Sequence, residues 1–130
     1  MSKLFELYVL GLLKDRFGDT INYHFTRQYN ELDYLLNDSE YKMVVDAKYK
    51  RVYENSYSID DIRQLSGYAR LRKVVEELKM PKNQVVDCLI IYPQSKGQMD
   101  FKNINLKSAD IDQFIQFYKI GVHLPQVKHS

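Results

Sequence analysis

The sequence holds one cysteine, no tryptophan, three prolines and five glycines. A lone Cys88 closes no intramolecular disulfide, so burial alone must hold the fold, and a reducing compartment suits it. Three histidines, His24, His123 and His129, share no i+4 spacing with one another, which argues against a structural zinc or iron–sulfur site. Any metal must then be held by oxygens. No stretch approaches the ~20 consecutive apolar residues of a membrane helix. Met1-Ser2-Lys3-Leu4-Phe5-Glu6 puts a carboxylate where a signal peptide is apolar, so a cytoplasmic location is expected. Repeats, low-complexity runs and linkers are also missing, and residues 1–130 read as a single domain.

What is present suffices for one core. The 130 residues are 45% hydrophobic and 28% charged, the profile of a single globular domain rather than a disordered chain. The net charge of +2 is too small to name a partner, but its distribution is uneven. Residues 1–41 carry 4 basic and 7 acidic groups, residues 42–82 carry 10 and 6, and residues 83–130 carry 5 and 4. The middle third is therefore the segment suited to face phosphate.

Apolar residues at helical spacing from Leu4 to Phe17 predict a helix, with Ser2 as its cap and Gly18 as its stop. Alternation over Thr20–Gln28 predicts a strand, and Leu32–Leu36 with Tyr41–Lys50 predict a hairpin turning at Asn37-Asp38-Ser39. Ser58-Ile59-Asp60-Asp61 reads as a helix cap, with the helix running to about Leu78 and Gly67 implying close packing inside it. Val85–Tyr92 is an apolar run suited to a strand buried on both faces, parallel to an earlier one. Alternation at Tyr118, Ile120, Val122 and Leu124 favours a last strand, while Ile111, Phe114 and Ile115 also suit a short helix. The expectation is an α/β sandwich around a central mixed β-sheet flanked by helices.

Along the third strand Val44, Asp46, Lys48 and Lys50 share a face, so Asp46 and Lys48 project the same way, about 7 Å apart. If the turn pairs Leu36 with Tyr41, Asp33 falls opposite Val44 and diagonal to Asp46. Hydrolysis of a phosphodiester needs a cation to neutralise phosphate and acidify water, and magnesium typically takes one or two carboxylates. Asp33 and Asp46 supply that number, the Ala47 carbonyl adds an oxygen, and Lys48 can hold the attacking water or steady charge on phosphorus. A bare Asp-x-Lys is usually a solvated ion pair, but Asp33 interrupts an apolar stretch, where a carboxylate needs a partner. Glu6 similarly interrupts the first helix. Gln64 and Tyr68 share one stripe of the second helix and suit a phosphate or metal-bound water. Lys50, Arg51, Arg63 and Arg70 are the candidate contacts to a nucleic-acid backbone.

Taken together, Glu6, Asp33, Asp46-Ala47-Lys48 and Gln64-Leu65-Ser66-Gly67-Tyr68 resemble the PD-(D/E)xK nuclease superfamily. The runs N-E-L-D-Y-L-L, V-V-D-A-K-Y-K and D-I-R-Q-L-S-G-Y-A are similar to the nuclease domain of the McrC family, the cleaving subunit of the 5-methylcytosine-specific McrBC restriction systems. The likeness covers about Leu4 to Pro125, with Leu32 in place of the proline of the family name. It implies a restriction-endonuclease-like fold, with Asp33 and Asp46 as metal ligands, Lys48 as the catalytic lysine, Glu6 as an ancillary acid, and Gln64 and Tyr68 as the motif after the core. Magnesium is the implied cofactor, with manganese as a substitute, DNA the substrate and a McrB-like GTPase the partner. The region through which McrC engages that partner is not in this sequence, so the chain reads as an excised domain or a shorter relative, and an oligomer stays open. Two other readings also stay open: a silent DNA-binding or assembly module, and an RNA or junction nuclease.

Overall fold

The computed structural model describes residues 2–23, 34–81, 83–94, 100–111 and 113–124. The first element is the helix α1, Ser2–Phe17. It stops where the sequence puts a glycine: Gly18 adopts φ +59°, a left-handed conformation that L side chains disfavour, and a short 3₁₀ turn follows. Next come the strands β1 (Ile21–Tyr23), β2 (Tyr34–Asn37) and β3 (Lys42–Ala47). A 3₁₀ turn at Arg51–Glu54 leads into the helices α2 (Ile59–Ala69) and α3 (Arg72–Glu77), followed by the strands β4 (Asp87–Pro93) and β5 (Phe117–Val122).

The five strands form one sheet in sequence order, β1-β2-β3-β4-β5. β2 pairs antiparallel with both β1 and β3, while β4 pairs parallel with both β3 and β5. The sheet is thus mixed, as expected, with the apolar run at β4 at the centre of the parallel part. Side-chain alternation along β3 divides the core in two. Met43 and Val45 join Tyr34, Leu36, Leu89 and Ile91 beneath α1, whose Phe5, Val9 and Leu13 are buried there. Val44 joins Leu35, Cys88 and Ile90 beneath α2 and α3, which contribute Ile62, Leu65, Val74 and Leu78. Helices therefore cover both faces, which is the α/β sandwich read from the sequence. Among the described residues no helix is long and apolar enough to cross a membrane.

Four details differ from the sequence expectation. Leu36 pairs with Met43 rather than Tyr41, and Val44 faces Leu35. The loop takes in Asp38–Tyr41, held by Asp38 N donating to Tyr41 O (2.9 Å) and by Glu40 N donating to Asp38 Oδ2 (3.0 Å), an aspartate turn that adds two residues to the connection. Because that shift is two residues, every side chain of β2 keeps its face. Asp33 itself lies outside the described residues.

Second, the long helix expected after Ser58 is two helices, broken at Arg70 and Leu71. Val74 follows Leu65 by nine residues, which at about 100° per residue places it half a turn away on a continuous helix. An extended Leu71 (φ −65°, ψ 132°) resets the phase, so that Val74 and Leu78 are fully buried. Third, Gly67 is not a point of close approach: it is exposed, and nothing lies within 4 Å of where a Cβ would stand. Last, 113–116 forms turns rather than a helix, with Gln113 and Gln116 at positive φ.

Candidate active site

β3 carries Asp46 near its carboxyl end, on the α2 side with Val44. The carboxylate is 2% exposed, and burying a charge without a partner is costly. Lys48 provides one: its Nζ stands 3.2 Å from Asp46 Oδ2. Lys48 lies just past β3, yet its backbone N–H donates to Ile91 O (2.9 Å), continuing the parallel ladder by one residue. The same-side projection expected of Asp46 and Lys48 is therefore present.

Beyond Lys48 the backbone turns sharply. Lys50 N donates to Lys48 O (2.9 Å), and the chain enters the 3₁₀ turn Arg51–Glu54. This bend aims Lys50 at the first turn of α2, where a residue missed in the sequence gathers the site. Asp61, 5% exposed, accepts from Lys50 Nζ through both oxygens at 3.0 Å and from Tyr53 Oη at 2.7 Å. Its Oδ1 also lies 3.8 Å from Lys48 Nζ. Lys48 is thus an ammonium between two buried carboxylates, Asp46 on the strand and Asp61 on the helix.

Only half of the expected capping arrangement exists. Ser58 Oγ accepts from Asp61 N (3.5 Å), but the Asp61 carboxylate is turned to the lysines and the tyrosine. A carboxylate is favoured at a helix amino end by the positive pole of the peptide dipoles, which offsets part of its burial. Burial, and then the hydrogen bond to Asp61, raise the Tyr53 phenol well above its usual range, so Tyr53 stays a donor. The 50s segment is held from the sheet as well: Lys119 Nζ on β5 donates to Tyr53 O (2.7 Å) and Ser56 O (3.2 Å), and its loss of solvation lowers its pKa.

Asp61, Gln64 and Tyr68 fall at i, i+3 and i+7, one stripe of α2. Asp61 therefore begins the stripe on which the sequence had singled out Gln64 and Tyr68; Tyr68 is buried and Gln64 half-buried. That spacing, an acid in line with Gln64 and Tyr68, is the available signal. Glu6 belongs to α1, which covers the other face of the sheet. Its backbone carbonyl accepts from Tyr34 Oη, its carboxylate lies 4.0 Å from Lys3 Nζ, and the neighbouring Phe5 ring meets Tyr49 edge-on at 5.6 Å. The amino end of α1 thus adjoins the carboxyl end of β3.

The four candidate cations are not gathered into one patch. Lys50 is engaged by Asp61, and Arg51 lines a cavity beyond Lys50. Arg63 is exposed on α2, and Arg70 caps the far end of that helix, roughly 10 Å further along its axis.

Among the described residues no three His, Cys, Asp or Glu side chains converge to hold a metal ion. The donor chemistry nevertheless fits magnesium, which prefers hard oxygens and keeps several positions for water and phosphate. Asp46 and the Ala47 carbonyl are the described members of the expected set. No family model, curated protein or solved structure matches the chain.

Proposed function

We propose that the protein is a magnesium-dependent endonuclease of restriction-endonuclease-like fold that hydrolyses DNA, related to the McrC nuclease domains. The observation that carries this reading is the Lys48 ammonium held between Asp46 and Asp61 at the carboxyl end of a central strand. A solvated surface pair would have neither carboxylate buried.

In this reading Asp46 and the Ala47 carbonyl hold the cation, with Asp33 as the second carboxylate. Magnesium, when bound, supplies charge neutralisation at the phosphate and lowers the pKa of a ligating water. Lys48 positions the attacking water or hydroxide by donating to its oxygen, and it steadies the negative charge that grows on the phosphoryl oxygens. Asp61 keeps Lys48 aimed, and Lys50 and Tyr53 keep Asp61 in place. Gln64 and Tyr68 orient the phosphate from α2, and Glu6 acts as an ancillary acid. Arg51 and Arg63 contact the DNA backbone. The McrB-like GTPase is the proposed partner in a restriction system.

Plasmid cleavage with magnesium or manganese tests the assignment. Asp46→Asn and Lys48→Ala should each lose activity while remaining folded at the assay temperature, and equal cleavage by all three proteins rejects the roles. Calorimetric titration with manganese separates a silent module, which would show no binding sensitive to Asp33→Asn and Asp46→Asn. Duplex, single-stranded, branched and RNA substrates compared at one salt concentration identify the preferred polymer.

A further inference from the structure

β3, β4 and β5 are parallel, so their carboxyl ends emerge along one edge of the sheet, where open α/β sheets bind ligands. A cavity of about 300 Å³ occupies that edge, beside the Lys48–Asp61–Lys50 cluster. Its walls come from all three strand ends: Tyr49 and Arg51 after β3, Pro93 and Gln94 at β4, His123 and Leu124 after β5.

The cavity is built rather than incidental. Gln94 is fixed by its own N–H donating to Val122 O (2.8 Å), and its side chain occupies the space over Gly121, where any Cβ would collide with it. His123 is fixed by its carbonyl, which accepts from Tyr8 Oη at 2.6 Å. His123 Nε2 is buried with no hydrogen-bond partner among the described residues, and such orphaned polar atoms are uncommon enough to require a reason. Tyr49 is 45% exposed, a large share for an aromatic ring, and Arg51 has no ion-pair partner among the described residues.

Flat apolar surface from Tyr49, Pro93 and Leu124, amide and imidazole donors and acceptors from Gln94 and His123, and the cations of Arg51 and Lys50, which outnumber the single carboxylate of Glu54 in the lining, together fit one chemical object. It is a nucleotide with an unstacked base and an anionic phosphate. The volume is at the small end of the range for ligand sites, enough for one such unit and too small for a base pair with its backbones. We infer that this cavity is a subsite for a single unpaired nucleotide next to the bond that is cut, so that the substrate is single-stranded or locally opened at that point. The inference deepens the nuclease reading, since the cavity adjoins Lys50 and through it Lys48.

The test is fluorescence anisotropy with a labelled oligothymidylate, in EDTA so that no cleavage occurs. The parent protein should bind it more tightly than an abasic strand or a blunt duplex of equal length. Tyr49→Ala should weaken binding about tenfold or more, the amount one base–aromatic stack contributes. Arg51→Ala should weaken it and reduce the salt slope by about 0.7 to 1. His123→Gln should weaken binding to oligothymidylate but not to the abasic strand, and thermal melts confirm that each variant is folded. Equal affinity in parent and variants, or an abasic strand binding as well as oligothymidylate, overturns the subsite. The readout is independent of catalysis: binding without magnesium-dependent cutting keeps the subsite and rejects the nuclease, and cutting with unaltered variant binding does the reverse.

Discussion

Lys48 Nζ lies 3.8 Å from the Asp61 carboxylate, across the gap between the central strand and the helix that covers it. With Asp46 at 3.2 Å on its other side, Lys48 is fixed in direction by two acids from two elements. One acid alone would allow the ammonium to swing; the pair defines where its remaining N–H groups point.

Removing either strand residue should therefore be severe. Lys48→Ala and Asp46→Asn are each expected to reduce magnesium-dependent cleavage at least about a hundredfold, the usual scale for losing a proton-handling or charge-stabilising group. Lys48→Ala also leaves the Asp46 carboxylate without that ammonium. It should lower stability by a few kcal/mol in urea unfolding, whereas the neutral Asp46→Asn should cost less.

Asp61 acts through Lys48, so its removal should be milder. Asp61→Asn is expected to lower cleavage about ten- to a hundredfold, the scale seen when a group supporting a reactive side chain is lost. Manganese binding measured by calorimetry should be little changed. Tyr53→Phe, which deletes only the 2.7 Å hydrogen bond, should fall between Asp61→Asn and the parent. A loss of manganese binding in Asp61→Asn would instead make Asp61 a ligand.

Gly67 offers a stability test free of the chemistry. It lies in α2 at ordinary helical φ, exposed and with open space around it. Gly67→Ala should stabilise the protein by about 0.5–1 kcal/mol, raising the melting temperature by a few degrees.

Cys88 gives a pH dependence. Burial pushes its thiol up from 9.0 to about 12. Well below pH 9 the thiol is protonated in both folded and unfolded chains and contributes no slope. Between pH 9 and about 12 the unfolded chain loses the proton and the folded one keeps it, so stability falls as pH rises. Cys88→Ala should remove this component from the alkaline limb of a stability–pH curve. In the parent at pH 8, a thiol reagent should label the native protein far more slowly than the urea-unfolded one.

Several elements were legible residue by residue. α1 and its stop follow from the spacing of Phe5, Val9 and Leu13 and from Gly18, and β4 from an apolar run too short for a buried helix. The break at Leu71 was also legible in principle, because Val74 and Leu78 are out of phase with Ile62 and Leu65. The register of β2 on β3 was not: Leu36 can pair with Tyr41 or Met43 without moving a side chain to the other face, and the turn around Asp38 decides. Asp61 was hidden by its position, since an acid in the first turn of a helix is already accounted for by capping and the peptide dipole.

What the sequence determined by itself is the set of local elements and the face on which each strand or helix residue stands, because backbone geometry fixes periods of 2.0 and about 3.6 within one segment. It also placed Asp46 and Lys48 on one side, two positions along a single strand. Only the tertiary structure decided that a bend after Lys48 carries Lys50 and Tyr53 to Asp61, and that the ends of three strands meet around a cavity at Tyr49, Gln94 and His123. Those juxtapositions join residues from different elements of the chain. They depend on how helix and sheet pack to bury Leu65 and Ile90, a condition on the whole core that no single segment contains.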